Sequence, residues 1–319
     1  MLSRRHLRVK VLQALYAYFQ SGNNSLDQGE KQLLLSINKL FELFIYQLSF
    51  LIEIQRFAEQ QMAANRHKHF PTEDDLNPNM RFINNQVLLK LSDNKDFQKK
   101  ERLYKVNWGQ EQEMVRKFYR RLRESPDYAH YMESSEEGFA ADKKFLMAVA
   151  EKHFSEFDLL QSFYEEKSIF FVDDYHLVSF LVVKFFKFMN KGFGPDEPLP
   201  VLLKTENDAV NEDLLFVKKL FRETVLNASK YENIIADKTP NWERERIAVM
   251  DMLILKMALA ELIYFPFIPV KVSLNEYIDI SKYFSTARSR VFVNGILDKL
   301  IQDLKEDGQI VKEGRGLVE

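Results

Sequence analysis

The sequence predicts an all-α protein. Three observations predict it. Glycine is scarce, 10 in 319 residues, less than half the usual ~7%, so folds rich in tight turns and phosphate-cradling loops are disfavoured. Long stretches lack both Gly and Pro, residues 30–70 and 139–191 among them. Within them apolar residues recur every three or four positions, the helical period.

Each element follows from that pattern. Residues 3–20 form a helix capped by Ser3, with Leu7, Val11, Ala14, Leu15 and Tyr18 on one apolar stripe. Residues 30–70 form a second, marked by Leu33, Ile37, Leu40, Phe44, Leu48 and Leu51. That run exceeds ordinary globular helices, so a break is expected near His67 or earlier. A short helix is expected at 82–91, an irregular polar stretch at 92–105, and helices at 110–124, 142–168 and 173–190. Asp173 or Asp174 is expected to cap the last of these. Residues 191–200 read as a linker-like loop. Helices then follow at 211–229, 242–264, 273–284 and 289–306, with a Ser273–Glu276 capping box and a mobile tail over 307–319.

Composition excludes several chemistries. The chain has no cysteine, so disulfides, thiolate metal sites and a thiol nucleophile are absent, which fits a reducing, cytoplasmic setting. No uninterrupted apolar run approaches the ~18 residues of a membrane span. Walker, GxGxxG, GxSxG and HExxH patterns are missing. His67 and His69, two positions apart, do not share a helix face. Asp74-Asp75 and Asp173-Asp174 sit where helix-capping acids belong. The sequence therefore predicts no enzyme, no cofactor and no metal.

Net charge is −2, from 45 Lys+Arg and 47 Asp+Glu, yet residues 1–26 contain no acid. Such an Arg-rich, acid-poor start also mimics a mitochondrial presequence. Arg4, Arg5 and His6 fall in the first turn, against the positive pole of the helix dipole. Cations there are unfavourable unless an anion binds, and a phosphate would be held by dipole, backbone N–H groups and guanidinium together. Tyr16 lies off the apolar stripe and is the candidate for base stacking.

The two ends of the chain together resemble the NusB family. The residues that carry the likeness are Ser3-Arg4-Arg5-His6-Leu7-Arg8 with Leu12-Gln13-Ala14-Leu15-Tyr16, and Asn241-Trp242-Glu243-Arg244-Glu245-Arg246 with Asp251. Pro269-Val270-Lys271-Val272, Asn275-Glu276 and Phe292-Val293-Asn294-Gly295-Ile296-Leu297-Asp298 complete it. The likeness makes residues 1–22 and 211–306 a NusB-like RNA-binding core and leaves 23–210 as an insertion, and it weakens the presequence reading, since residues 11–16 belong to the matched helix.

The resemblance implies a non-catalytic factor for transcription antitermination. It implies pairing with the small-subunit ribosomal protein NusE on single-stranded boxA-type RNA within an RNA polymerase antitermination complex, notably in ribosomal RNA operons, with no membrane involved. Carried over by motif, Arg4, Arg5, Arg8, Tyr16 and Ser289 fall on the RNA side, and Glu245 and Asp251 on the NusE side. Arg288 stands where the family has an acid, which predicts a tighter, more salt-dependent phosphate contact. Two competitors stand beside this reading. One is a protein–protein scaffold that keeps the fold without binding RNA. The other is an RNA methyltransferase, which the absence of a glycine-rich cofactor loop disfavours.

Overall fold

The computed structural model describes residues 2–22, 25–203, 211–239 and 247–317. They form two compact units, one of Met1–Ile37 with Leu202–Glu319 and one of Asn38–Val201. No strand occurs among the described residues.

Ser3 stands at the N-cap of α1 (Arg4–Gln20) and its side chain accepts from the His6 N–H. α2 (Leu26–Arg66) runs 41 residues and ends at the break expected near His67. By length and composition α2 could cross a membrane, but 72% of its most apolar window is buried in the protein. At Gly29 an added Cβ would lie 2.6 Å from the Phe221 ring and 2.7 Å from the Tyr18 ring. Only glycine allows that approach.

The second unit continues with α3 (Glu73–Leu76), α4 (Gln86–Ser92), α5 (Lys95–Leu103), α6 (Gln112–Arg123), α7 (Pro126–Glu133) and α8 (Phe139–Ala148). A π-helical turn at Val149–His153 precedes α9 (Asp158–Lys167), α10 (Ile169–Val172) and α11 (Tyr175–Phe188). Asp75 acts in a capping box with Thr72. Asp174 occupies the N-cap of α11.

The stretch 92–105, expected to be irregular, contains α5. Its start is fixed by Asn94, whose Oδ1 accepts the Phe97 N–H at 2.8 Å while Phe97 is buried. The single helix expected over 142–168 is broken. Ser155 hydrogen-bonds back to the Glu151 and Lys152 carbonyls, competing with the helix ladder, and Phe154 and Phe157 turn into the core.

That core is aromatic. Phe50 packs against Trp108 and Phe118 with ring centroids 5.0 and 5.1 Å apart, and Trp108 Nε1 donates to Ser49 Oγ at 2.9 Å. The loop at 191–200 is fastened: Asn94 Nδ2 donates to the Gly194 and Glu197 carbonyls, and the Lys95 N–H donates to Pro195 O.

The first unit resumes with α12 (Glu212–Leu226), α13 (Ala228–Asp237), α14 (Val249–Tyr264), α15 (Val270–Phe284) and α16 (Ala287–Glu306). The helix expected over 211–229 stops at Leu226. The Asn227 side chain bonds back to Glu223 O at 2.9 Å and α13 begins beyond it. α14 is apolar almost all round and buried from Leu253 to Leu262, the signature of a central helix. It packs against α1, α12, α13, α15 and α16.

α15 begins three residues earlier than expected, with Pro269 at its N-cap. Ser273 is therefore inside the helix and makes no capping box. Its hydroxyl donates to Glu261 Oε1 at 2.7 Å.

The segment expected to be a mobile tail is tied back onto the unit. Glu313 N–H donates to Pro266 O at 3.0 Å, Lys312 Nζ donates to Phe265 O at 3.0 Å, and a 3₁₀ turn closes Gly314–Leu317. Gly316 sits so close to Pro266 O that an added Cβ would be 1.9 Å away.

Candidate nucleic-acid interface

The basic start of α1 divides into three environments. Arg8 is buried, 2% exposed. Its guanidinium clamps the Glu261 carboxylate with two 2.7 Å bonds. Tyr277 and Ser273 hydroxyls donate to the same carboxylate at 2.9 and 2.7 Å, so a fully buried acid is completely satisfied. Burial disfavours the charge on Arg8, but Glu261 outweighs it, with help from Tyr277 and Glu276, and the guanidinium is held above its ordinary value. Burial, and then the Glu261 charge, push the Tyr277 hydroxyl well up. Arg8 thus locks α1 to α14 and α15. It is not a surface phosphate ligand, because its donors already face a carboxylate inside the core.

Arg4 and Arg5 remain at the surface, 38% and 43% exposed. Arg4 Nε pairs with the buried Asp213 at 2.9 Å, and its guanidinium lies 4.4 Å from the Phe216 ring centroid. Arg5 grips Glu276 through two bonds of 2.9 and 3.1 Å and reaches Asp279 at 2.8 Å. The hydrogen bond to Glu276 holds Arg5 above its ordinary value. His6 belongs to the cap: its Nδ1 lies 3.2 Å from the Ser3 N–H.

These residues open onto a groove of about 1410 Å³. Lys219 and Arg315 border it with Arg4 and Arg5, Glu212 and Glu276 lie among them, and Phe216, Phe265 and Phe267 supply its aromatic lining. Phe267 is 63% exposed. Tyr16 is exposed but sits twelve positions past Arg4, about 18 Å along the axis, and does not line the groove. The exposed aromatic beside the arginines is Phe267. Its signal in the sequence is a large aromatic in a short loop between Pro266 and Pro269. A second groove, of about 740 Å³, adjoins Arg5 and includes Lys282 and Arg290.

Ser289 is buried, its Oγ 2.9 Å from that of Thr286, which caps α16. Its side chain serves the helix cap, whereas Arg288 in the same turn is exposed. Asp251 is 4% exposed, in the first turn of α14, and so presents no open acidic position to a partner. Glu245 lies outside the described residues.

Geometry defines a class first: an all-α protein whose first unit is built round one buried helix and opens an aromatic groove edged by cations. Similarity then gives the family. The NusB family profile matches residues 189–302. Proteins named transcription antitermination protein NusB align in three bacteria. That of Salinibacter ruber is 40% identical over 123 residues, 39% of this chain and 77% of its own length. That of Chloroherpeton thalassium is 40% identical over 104 residues, 33% of this chain and 49% of its own. That of Alkaliphilus oremlandii is 35% identical over 98 residues, 31% and 69%. The chain belongs to the NusB family. No solved structure matches at the same stringency.

Proposed function

We propose that this protein is a cytoplasmic transcription antitermination factor that acts by binding single-stranded RNA of the boxA type, paired with the ribosomal protein NusE within an RNA polymerase complex. One observation carries the reading: the groove at the start of α1 joins exposed aromatic surface at Phe267 to cations from Arg4, Arg5, Lys219 and Arg315. Single-stranded RNA asks for that combination, since bases stack on rings while phosphates meet Arg and Lys. The names of the relatives support the same role. Arg288, exposed in the first turn of α16, adds a further phosphate contact.

The test is anisotropy of a labelled boxA-type strand over a salt series. Phe267→Ala is expected to weaken binding by about 1–3 kcal/mol, the worth of one stacked base. Lys219→Glu and Arg288→Glu are each expected to flatten the log K against log salt slope by about 0.7 per phosphate lost. Unchanged affinity and slope in all three variants would overturn the reading. The carboxylates on Arg4, Arg5 and Arg8 favour one other reading, a protein–protein scaffold without RNA binding. That reading predicts no salt-sensitive RNA binding by the unaltered protein.

A further inference from the structure

The second unit carries a cation cluster that the groove of the first does not involve. α6 reads QEMVRKFYRRLR. Met114, Val115, Phe118, Tyr119 and Leu122 are buried, and Arg116, Lys117, Arg120, Arg121 and Arg123 all face solvent. Five cations therefore share one exposed surface of a twelve-residue helix.

The helix dipole rewards the three cations in the last turn and leaves Arg116 and Lys117 unexplained. Arg116 with Arg120, and Lys117 with Arg121, are like-charge neighbours at i,i+4, which destabilise a helix. Few acids answer them. Glu113 serves both Arg116 and Lys117, and Glu156 takes Arg121 at 3.1 Å. Among the described residues Arg120 and Arg123 have no carboxylate within ion-pair distance, and Arg123 instead lies 5.9 Å from the Tyr119 ring centroid. Beside them runs a groove of about 530 Å³, in which four cations, Arg116, Lys117, Arg120 and Arg123, outnumber two acids, Glu113 and Glu124, with Gln61 of α2 and Tyr119 completing the lining.

We propose that this face of α6 is a second RNA-binding surface, which holds the phosphodiester backbone of a single strand without reading its bases. The inference rests on the reading of the protein as an RNA binder. Planar guanidinium groups match phosphate oxygens in pairs, and Arg116, Arg120 and Arg123 follow one another over about 10 Å of helix axis, the form of an extended charged track. An anionic bilayer fits less well, because every apolar side chain of α6 points into the core and none is left to enter the lipid.

The experiment uses the full chain and two labelled probes, a short boxA-type strand and poly(U) of about 40 nucleotides, longer than one ~4–16 nucleotide site. Arg116→Glu/Arg120→Glu/Arg123→Glu is expected to lower affinity for the long strand at least tenfold. Its salt slope should flatten by about 2, three phosphates at about 0.7 each. The short strand should bind as before. The corresponding three Arg→Lys changes, which keep the charge and lose the paired geometry, should keep the salt slope and fall between the unaltered chain and the triple-Glu variant in long-strand affinity. Circular dichroism confirms that the variants fold.

A folded triple-Glu variant with unchanged long-strand affinity and slope overturns the proposal. So does α6-dependent binding to phosphatidylserine vesicles with no effect on RNA. The two readings separate cleanly: a loss confined to the long strand in the α6 variant, with Phe267→Ala and Lys219→Glu silent, sustains this surface and sinks the groove.

Discussion

Two arginine clusters look alike in the sequence and differ in the fold. At the start of α1 the cations are answered by carboxylates from distant helices: Arg4 by Asp213, Arg5 by Glu276 and Asp279, Arg8 by Glu261. On α6 three of five cations pair with two acids, Glu113 and Glu156, and Glu124 lines the groove beside them without an ion pair among the described residues. The first cluster divides its charge between holding helices together and edging a groove, whereas most of the second is directed outward. An arginine run therefore predicts a nucleic-acid surface only after its carboxylate partners have been subtracted.

The largest expected effect tests the buried half of that contrast. Glu261→Ala leaves the Arg8 charge buried without its partner, which typically costs about 3–5 kcal/mol. Denaturant unfolding should show a loss of that size, and Arg8→Ala a comparable one. Arg120→Ala on α6 should fall within about 0.5 kcal/mol of the unaltered protein, as exposed substitutions do. If Arg8→Ala is as mild as Arg120→Ala, the distinction between the clusters collapses.

Gly316→Ala comes next. The methyl group would collide with Pro266 O, and overpacking of this kind costs about 1–3 kcal/mol. Limited proteolysis should release the last residues faster, and RNA affinity should fall with them if Arg315 borders a working groove.

The smallest effect is in the acid range. Burial alone would raise the Glu30 carboxyl, but Arg222 and Lys218 outweigh it and hold it low. Lys282, then Arg5 and Arg290, hold Asp279 low as well. Groups depressed in the folded state stabilise it above their unfolded values, about 4.3 and 3.9, and that contribution is lost as pH falls through the folded values. The melting temperature should hold from neutrality down to about pH 5 and then decline. Arg222→Gln should make the decline shallower.

Helices were legible where a cap or a stripe is local, as with Ser3 and Leu7 to Tyr18 in α1. Boundaries failed where a side chain turns back on its own backbone, as Ser155 and Asn227 do, since those bonds leave no periodic signature. The role of Arg8 was hidden because Glu261 is 253 positions away, and only the packing of α14 against α1 brings them together. Ser289 and Asp251 match binding positions by motif, yet both are buried. Burial is set by neighbours that no motif contains.

The groove draws its walls from both ends of the chain, Ser3 to Arg8 on one side and Gly314 with Arg315 on the other. Proteins emerge from the ribosome amino end first. The arginines are thus made before the wall opposite them, which lies more than 300 residues further along the chain. A nascent chain that has not yet reached Gly314 would carry the cations without the completed cleft, so the RNA binding proposed for the groove awaits Gly314 and Arg315.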